Sequence, residues 1–144
     1  MSKENADRQP EQFLPPDPGQ ARAEREYAGL HRIAARHAAT DQQRRRTAHP
    51  ATLSPYEAVL LVSSLAGGSV PPEQGEAAID EQDLAAALAL VPKLRADVDG
   101  LEEGLLLMAR GRGLTWQQIA FALGLGSAQA ARQRYERLTG RGRA

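Results

Sequence analysis

The chain has 144 residues and a mass of 15.5 kDa, which leaves room for one domain with tails but not for two independent cores. It contains no cysteine, which excludes disulfides, thiolate zinc sites, iron–sulfur clusters and cysteine nucleophiles. Basic and acidic residues number 18 each, so net charge identifies no partner. No apolar run approaches the ~20 residues of a membrane span, and the polar, Pro-rich N-terminus does not resemble a signal peptide. We therefore expect a soluble cytoplasmic protein without a membrane partner.

The charges are segregated along the chain. The net charge is −2 over residues 1–19, +4 over 20–48, −8 over 49–103 and +6 over 104–144. A basic C-terminal segment can concentrate near phosphates even in a neutral protein, although the opposite charges can also pair within the fold. Alanine is abundant while aromatic and β-branched residues are sparse, which favours helices and predicts an all-α fold.

Two segments precede the predicted helical domain. Residues 1–19 contain four prolines and almost no apolar pattern, so we predict a disordered tail. Residues 20–48 form a basic segment with a helix from Gln20 to about Arg46, whose narrow apolar stripe indicates a surface helix or one that folds on a partner. We interpret its end, Arg44-Arg45-Arg46, as solvated, with contact to phosphates or an acidic protein as the alternative.

The helical domain is predicted over residues 52–144, after a linker at His49-Pro50-Ala51. A helix is predicted to begin at Pro55, because Ser54 has the residue type of a helix cap and proline suits the first helical position. The same helix is predicted to end at Gly67-Gly68. Residues 69–79 are predicted to be a loop.

A long amphipathic helical pattern follows Asp80. Its apolar positions recur at steps of three and four residues, and we expect a kink or break at Pro92 and at Gly100. We predict that this stripe forms intramolecular core, with a dimer seam as the alternative; it consists of Leu84, Leu88, Val91, Leu94, Val98, Leu101, Leu105 and Met108.

Residues 105–138 have the pattern of a helix-turn-helix. Thr115 caps a short helix over 116–123, Gly124-Leu125-Gly126 form a tight turn, and Ser127 caps a last helix over about 128–138. The predicted buried face of the short helix is Trp116, Ile119, Ala120 and Leu123, and that of the last helix is Ala128, Ala131, Tyr135 and Leu138. Only six residues follow Leu138, too few for a β-wing, so we expect a helical bundle ending in a simple, non-winged unit.

The exposed face of the last helix predicts contacts to DNA. Glutamine can bond adenine, arginine can bond guanine, and alanine can contact a thymine methyl. The predicted base-contacting residues are Gln129, Ala130, Gln133 and Arg137. The predicted phosphate-contacting residues are Arg110, Arg112, Ser127, Arg132, Arg134, Arg141 and Arg143.

This C-terminal stretch resembles the small helix-turn-helix DNA-binding proteins common in filamentous actinobacteria. The matching residues are Thr115-Trp116, Leu123-Gly124, Gln129-Ala130-Ala131, Arg134-Tyr135 and Arg137-Leu138. LTWQQIAFALGL is also similar, more distantly, to the −35-reading region of sigma factors, but the turn is about one residue longer and the upstream sigma regions are absent. The resemblance covers roughly residues 80–138 and implies transcriptional regulation.

Nothing in the sequence indicates an enzyme, a cofactor or a metal site. The three histidines, His31, His37 and His49, lack a complementary carboxylate pattern, and the glycine pairs lack the context of a phosphate loop. The predicted function is sequence-specific binding of double-stranded DNA by a nucleoid-associated transcriptional regulator. The alternative is a protein-interaction module that docks on the transcription machinery, and the other possible protein partner is a second copy of the chain in a homodimer. A third possibility is an architectural or RNA-binding role of the arginines over residues 20–46 and 104–144.

Overall fold

The computed structural model describes residues 17–48 and 52–141. They form six helices and no strand, so the all-α prediction is confirmed for this part of the chain. The helices are α1 (Pro18–His37), α2 (Asp41–Arg44), α3 (Pro55–Gly67), α4 (Glu81–Gly111), α5 (Trp116–Leu123) and α6 (Ala128–Arg141). The tail over residues 1–16 and the linker at residues 49–51 lie outside the described residues. The chain divides within α4 into two compact units, Met1–Leu90 and Val91–Ala144. Each unit has its own apolar core, so the expectation that the chain has no room for two cores is wrong.

The predicted basic helix is in fact two helices. α1 begins at Pro18, two residues before the predicted start, because Asp17 caps it by accepting a hydrogen bond from the Gly19 amide at 3.2 Å. The prediction of one helix as far as Arg46 is wrong, because α1 ends at His37 and α2 starts after Thr40. Thr40 and Gln43 form a reciprocal capping box, which starts the second helix.

A small apolar core holds the first unit together. It is contributed by α1, α3 and the first part of α4, and its buried members are Ile33, Ala58, Val62, Ala86, Ala87 and Leu90. α3 has the predicted start, with Ser54 Oγ accepting a hydrogen bond from the Glu57 amide at 3.2 Å, and it ends at Gly67. α1 therefore packs within this unit rather than lying as an isolated surface helix.

The apolar stripe predicted to fill the core along α4 is mostly exposed, so that prediction is wrong. In the first unit, the exposed fractions of Leu84 and Leu88 are 45% and 69%, while Ala86 and Ala87 are buried. The core side of the helix consists of Ala86, Ala87 and Leu90, and α1 approaches the backbone closely at Ala86. α4 also runs continuously through Pro92 and Gly100, so of the kink or break expected at each position, the break is not present.

A network of ion pairs lies beside this core. The imidazole of His37 is fully buried and lies between two carboxylates, with Nδ1 2.6 Å from Glu76 Oε2 and Nε2 3.4 Å from Asp83 Oδ2. Arg46 donates to both Glu76 oxygens at 2.7 and 2.8 Å, and Arg36 Nε lies 2.8 Å from Asp83 Oδ1. Buried charges are tolerated only when paired in this way.

This pairing corrects the interpretation of Arg46 as part of a solvated end. Its side chain is only 11% exposed, and besides Glu76 it bonds the His37 carbonyl at 2.8 Å. The charge of Arg46 therefore stabilises the fold of the first unit. No sequence pattern links Arg46 to Glu76, because 30 residues separate them.

The paired carboxylates predict acid sensitivity. Burial raises the pKa of Glu76, but hydrogen bonds from Arg46, the Glu73 amide and His37 outweigh it and hold that pKa at about 2. Burial likewise raises the pKa of Asp83, while bonds from the Asp80 amide, Arg36 and His37 lower it to about 2. A carboxylate with a lowered pKa stabilises the fold above its unfolded pKa, and this stabilisation is lost as the pH falls through the folded value.

We therefore expect the free energy of unfolding to decrease between about pH 5 and pH 2, by on the order of 2–3 kcal/mol for each carboxylate. Urea unfolding followed by circular dichroism at several pH values measures this decrease. Glu76→Gln is expected to make the pH dependence shallower, whereas Glu136→Gln, at an exposed position of α6, leaves it unchanged. If the free energy of unfolding changed with pH equally steeply in the parent and Glu76→Gln proteins, Glu76 would not be a source of the acid sensitivity.

The close approach of α1 to α4 gives a second prediction. A Cβ atom added at Gly29 would lie 2.8 Å from the backbone carbonyl oxygen of Ala86, so a backbone must shift. Gly29→Ala is expected to destabilise the protein by about 1–3 kcal/mol. The same change at helical Gly100, which has open space around it, is expected to stabilise by about 0.5–1 kcal/mol. Thermal unfolding of both variants checks that their stabilities change in opposite directions.

Candidate nucleic-acid interface

The second unit is built around two capped helices. α5 begins at Trp116, where Thr115 and Gln118 form a capping box: Thr115 Oγ1 accepts from the Gln118 amide, and Gln118 Oε1 accepts from the Thr115 amide. α6 begins at Ala128, and Ser127 Oγ accepts a hydrogen bond from the Ala130 amide at 3.1 Å. Both helix starts agree with the predicted ones.

Four residues join α5 to α6. Gly124 ends α5 in the left-handed conformation, with φ 69° and ψ 26°, as its residue type predicts. The Leu125 amide then bonds the Ala120 carbonyl at 2.8 Å, and the half-buried Leu125 side chain packs against the core. The connection is therefore a fixed turn and not a free linker.

The core of this unit lies between α4, α5 and α6. Its buried members are Leu106, Ile119, Ala120, Ala131 and Leu138, and half-buried Trp116 and Tyr135 pack against it. Ala120 and Ala131 are almost fully buried, and their small side chains let the helices pack closely. Leu123, predicted to be buried, is 38% exposed because it occupies the last position of α5, next to the turn.

The predicted base-contacting residues lie on the other side of α6. Gln129, Gln133 and Arg137 are exposed, and Ala130 is half-buried. On a helix with ~100° per residue, Gln129, Gln133 and Arg137 follow one another at steps of about 40°. α6 therefore presents a continuous polar face opposite the core.

Sequence reasoning missed one residue on this face. Glu136 is exposed, and its position on the helical wheel is between Gln129 and Arg132. It is the one acidic residue between positions 104 and 144. The helical wheel that identified the glutamines from the sequence also places Glu136 on this face. Its carboxylate can accept a hydrogen bond from the amino group of cytosine.

The predicted phosphate-contacting residues differ in their surroundings. Arg112 and Arg132 are exposed. Arg110 donates to the Leu114 carbonyl at 2.8 Å, and its guanidinium lies 4.8 Å from the centre of the Trp116 ring. The side chain of Arg141 and the whole of Arg143 lie outside the described residues, and Ser127 serves as the α6 cap.

Arg134 is held by an ion pair within the unit. Its guanidinium donates two hydrogen bonds to the Glu102 carboxylate on α4, one of them from Nη2 to Oε2 at 2.9 Å. This carboxylate raises the pKa of Arg134. The pair fixes the rotation of α6 against α4, so that the polar face of α6 has a defined direction.

Comparison with known proteins adds no assignment. No protein-family model, no curated protein and no solved structure matches the chain. Among the described residues, no helix is both long enough and apolar enough to cross a membrane.

The turn between α5 and α6 can be tested by substitution. Gly124→Ala places a side chain on a residue with φ 69°, and we expect it to destabilise the second unit by about 1–2 kcal/mol. Gly126→Ala is the matched control in the same turn, because Gly126 has a negative φ and open space around it. The fluorescence of Trp116, the one tryptophan in the chain, reports unfolding of this unit. Equal stability of the two variants would contradict the role of Gly124.

Proposed function

We propose that the protein binds specific sequences of double-stranded DNA and regulates transcription, with α5 and α6 acting as a helix-turn-helix and α6 entering the major groove. The observation that carries this proposal is the polar face of α6, in which Gln129, Gln133 and Arg137 project from a helix fixed on its opposite side. A rigid helix with exposed glutamine and arginine side chains is suited to reading base edges.

The packing of α6 supports this proposal. Ala131 and Leu138 anchor the helix in the core, and the Arg134–Glu102 pair sets its rotation. A recognition helix needs such support because base-specific hydrogen bonds require side chains held in a defined direction. The four-residue turn and the two caps add to this rigidity.

The charge distribution supports nucleic acid as the partner. The segment over residues 104–144 has a net charge of +6, and Arg112 and Arg132 are exposed. We assign these two arginines to phosphate contacts. We give Arg134 a positioning role, because Glu102 already binds its guanidinium.

Selection from random duplex pools, at low and at near-physiological salt, tests the proposal directly. We expect an enriched sequence motif that persists at the higher salt, because base contacts depend on salt much less than phosphate contacts do. Gln133→Ala and Arg137→Ala are each expected to weaken binding to the preferred site by about 1–3 kcal/mol and to relax the preference at one base position. Arg132→Ala is expected to weaken binding to all sequences alike.

Two further variants sharpen this test. Glu136→Gln is expected to change the preference at one position while strengthening binding to unrelated DNA, since a negative charge near phosphates is removed. Gln82→Ala, at an exposed glutamine of the first unit, is the matched control and leaves binding unchanged. Unaltered specificity in the Gln133 and Arg137 variants would rule out α6 as the reading helix.

A second candidate function is docking on a protein of the transcription machinery. Phe121 on α5 favours it, because its exposed fraction is 87% and an aromatic side chain of this kind can serve as an anchor that a protein partner buries. Absence of DNA binding at both salt concentrations would support this candidate.

A further inference from the structure

The first unit contains a cavity where the segment after α2 meets α3 and the loop that follows α3. Its volume is about 320 Å³, which is within the range of small-molecule sites. Both polar and apolar side chains line it, among them Arg46, Tyr56, Glu57, Leu60, Leu61 and Val70.

Two buried polar atoms of the lining lack partners. They are Oε2 of Glu57 and Nε of Arg46, and neither has a hydrogen-bond partner within the part of the chain that the structure describes. Buried polar atoms are nearly always hydrogen-bonded, because leaving one without a partner costs its full desolvation energy. The cavity is therefore the place where the missing partners of these two atoms can bind.

The carboxylate of Glu57 has no other use within the described residues. Glu57 is the third residue of α3, where a capping box would use its side chain to accept from the Ser54 amide. Gln43 and Gln118 close such boxes in α2 and α5, but in α3 only the half made by the Ser54 hydroxyl is formed. No ion pair to a described residue engages Glu57 either, so its negative charge is uncompensated.

The charge of Arg46 is already compensated. Its Nη1 and Nη2 atoms donate to the two oxygens of Glu76 at 2.7 and 2.8 Å, which leaves Nε as a donor without a partner. The cavity therefore combines one unpaired negative charge with one free N–H group. A ligand that complements both carries a positive charge and an acceptor oxygen.

The walls of the cavity favour an organic ion over water alone. Leu60, Leu61 and Val70 contribute apolar surface, and the volume is many times that needed for one water molecule. Tyr56 also lines the cavity, and its exposed fraction of 63% places its ring at the mouth. The face of an aromatic ring attracts a cation, which agrees with the charge of Glu57.

We propose that this cavity binds a small organic ammonium ion. The ammonium group bonds the Glu57 carboxylate, a carbonyl or hydroxyl oxygen accepts from Arg46 Nε, and the apolar part of the ligand packs against Leu60 and Val70. The site belongs to the first unit, whereas α6 belongs to the second, so this binding is an activity separate from the proposed reading of DNA.

Three probes of similar shape test the site by titration of the isotope-labelled full chain, followed through its amide chemical shifts. Phenylalaninamide has an ammonium group, a carbonyl group and an aromatic ring; hydrocinnamamide lacks the ammonium group, and phenethylamine lacks the carbonyl group. We expect phenylalaninamide to cause saturable shifts at Tyr56, Leu60 and Val70. Hydrocinnamamide is expected to bind at least roughly 10-fold more weakly, because charge-assisted hydrogen bonds are the stronger ones, and phenethylamine is expected to have an intermediate affinity.

Substitution of the carboxylate tests the same contact from the side of the protein. Glu57→Gln keeps the shape and removes the charge, so it is expected to weaken phenylalaninamide binding by roughly 10-fold. It is expected to leave the Kd of hydrocinnamamide unchanged, which also shows that the cavity of the variant is intact. Glu81→Gln is the matched control, because it removes an exposed charge of the same unit, and it leaves all three affinities unchanged.

Equal affinity of the parent protein for phenylalaninamide and hydrocinnamamide would overturn the proposal, and so would equal effects of Glu57→Gln and Glu81→Gln. Shifts that do not saturate, or that lie away from the cavity, would mean that water alone satisfies Glu57 and Arg46. The comparison of probes on the parent protein stands even if Glu57→Gln does not fold. None of these measurements contains DNA, so their failure is distinct from failure of the proposed DNA binding.

Discussion

The second unit depends on the one-sided attachment of α6. Ala131 and Leu138 anchor this helix in a core shared with α4 and α5, and the Glu102–Arg134 pair limits its rotation. Because the attachment uses a narrow side of the helix, the remaining side chains must face solvent, and the sequence fills them with glutamine and arginine. Fixing the core side of α6 therefore also fixes the direction of its polar face, which is the condition for reading bases.

Arginine serves two different purposes in this chain. Arg46 and Arg36 pair with the buried carboxylates Glu76 and Asp83 in the first unit, so their charge is used within the fold. Arg132, in contrast, is exposed on α6 beside the polar face. Net charge over a segment cannot distinguish these purposes, because it counts paired and unpaired guanidinium groups equally. Specific contacts, rather than arginine content, decide which segments are suited to bind phosphates.

Local signals predicted the local structure well. Ser54, Thr115 and Ser127 cap the helices that they were expected to cap, and Gly124 has the left-handed conformation that its position requires. These features could be predicted because each depends on residues within one helical turn. The exposure of the apolar stripe along α4 could not be predicted, since a period of three and four residues identifies an apolar side of a helix but not what covers it. The pairing of His37 with Glu76 was equally inaccessible, because 39 residues separate the two.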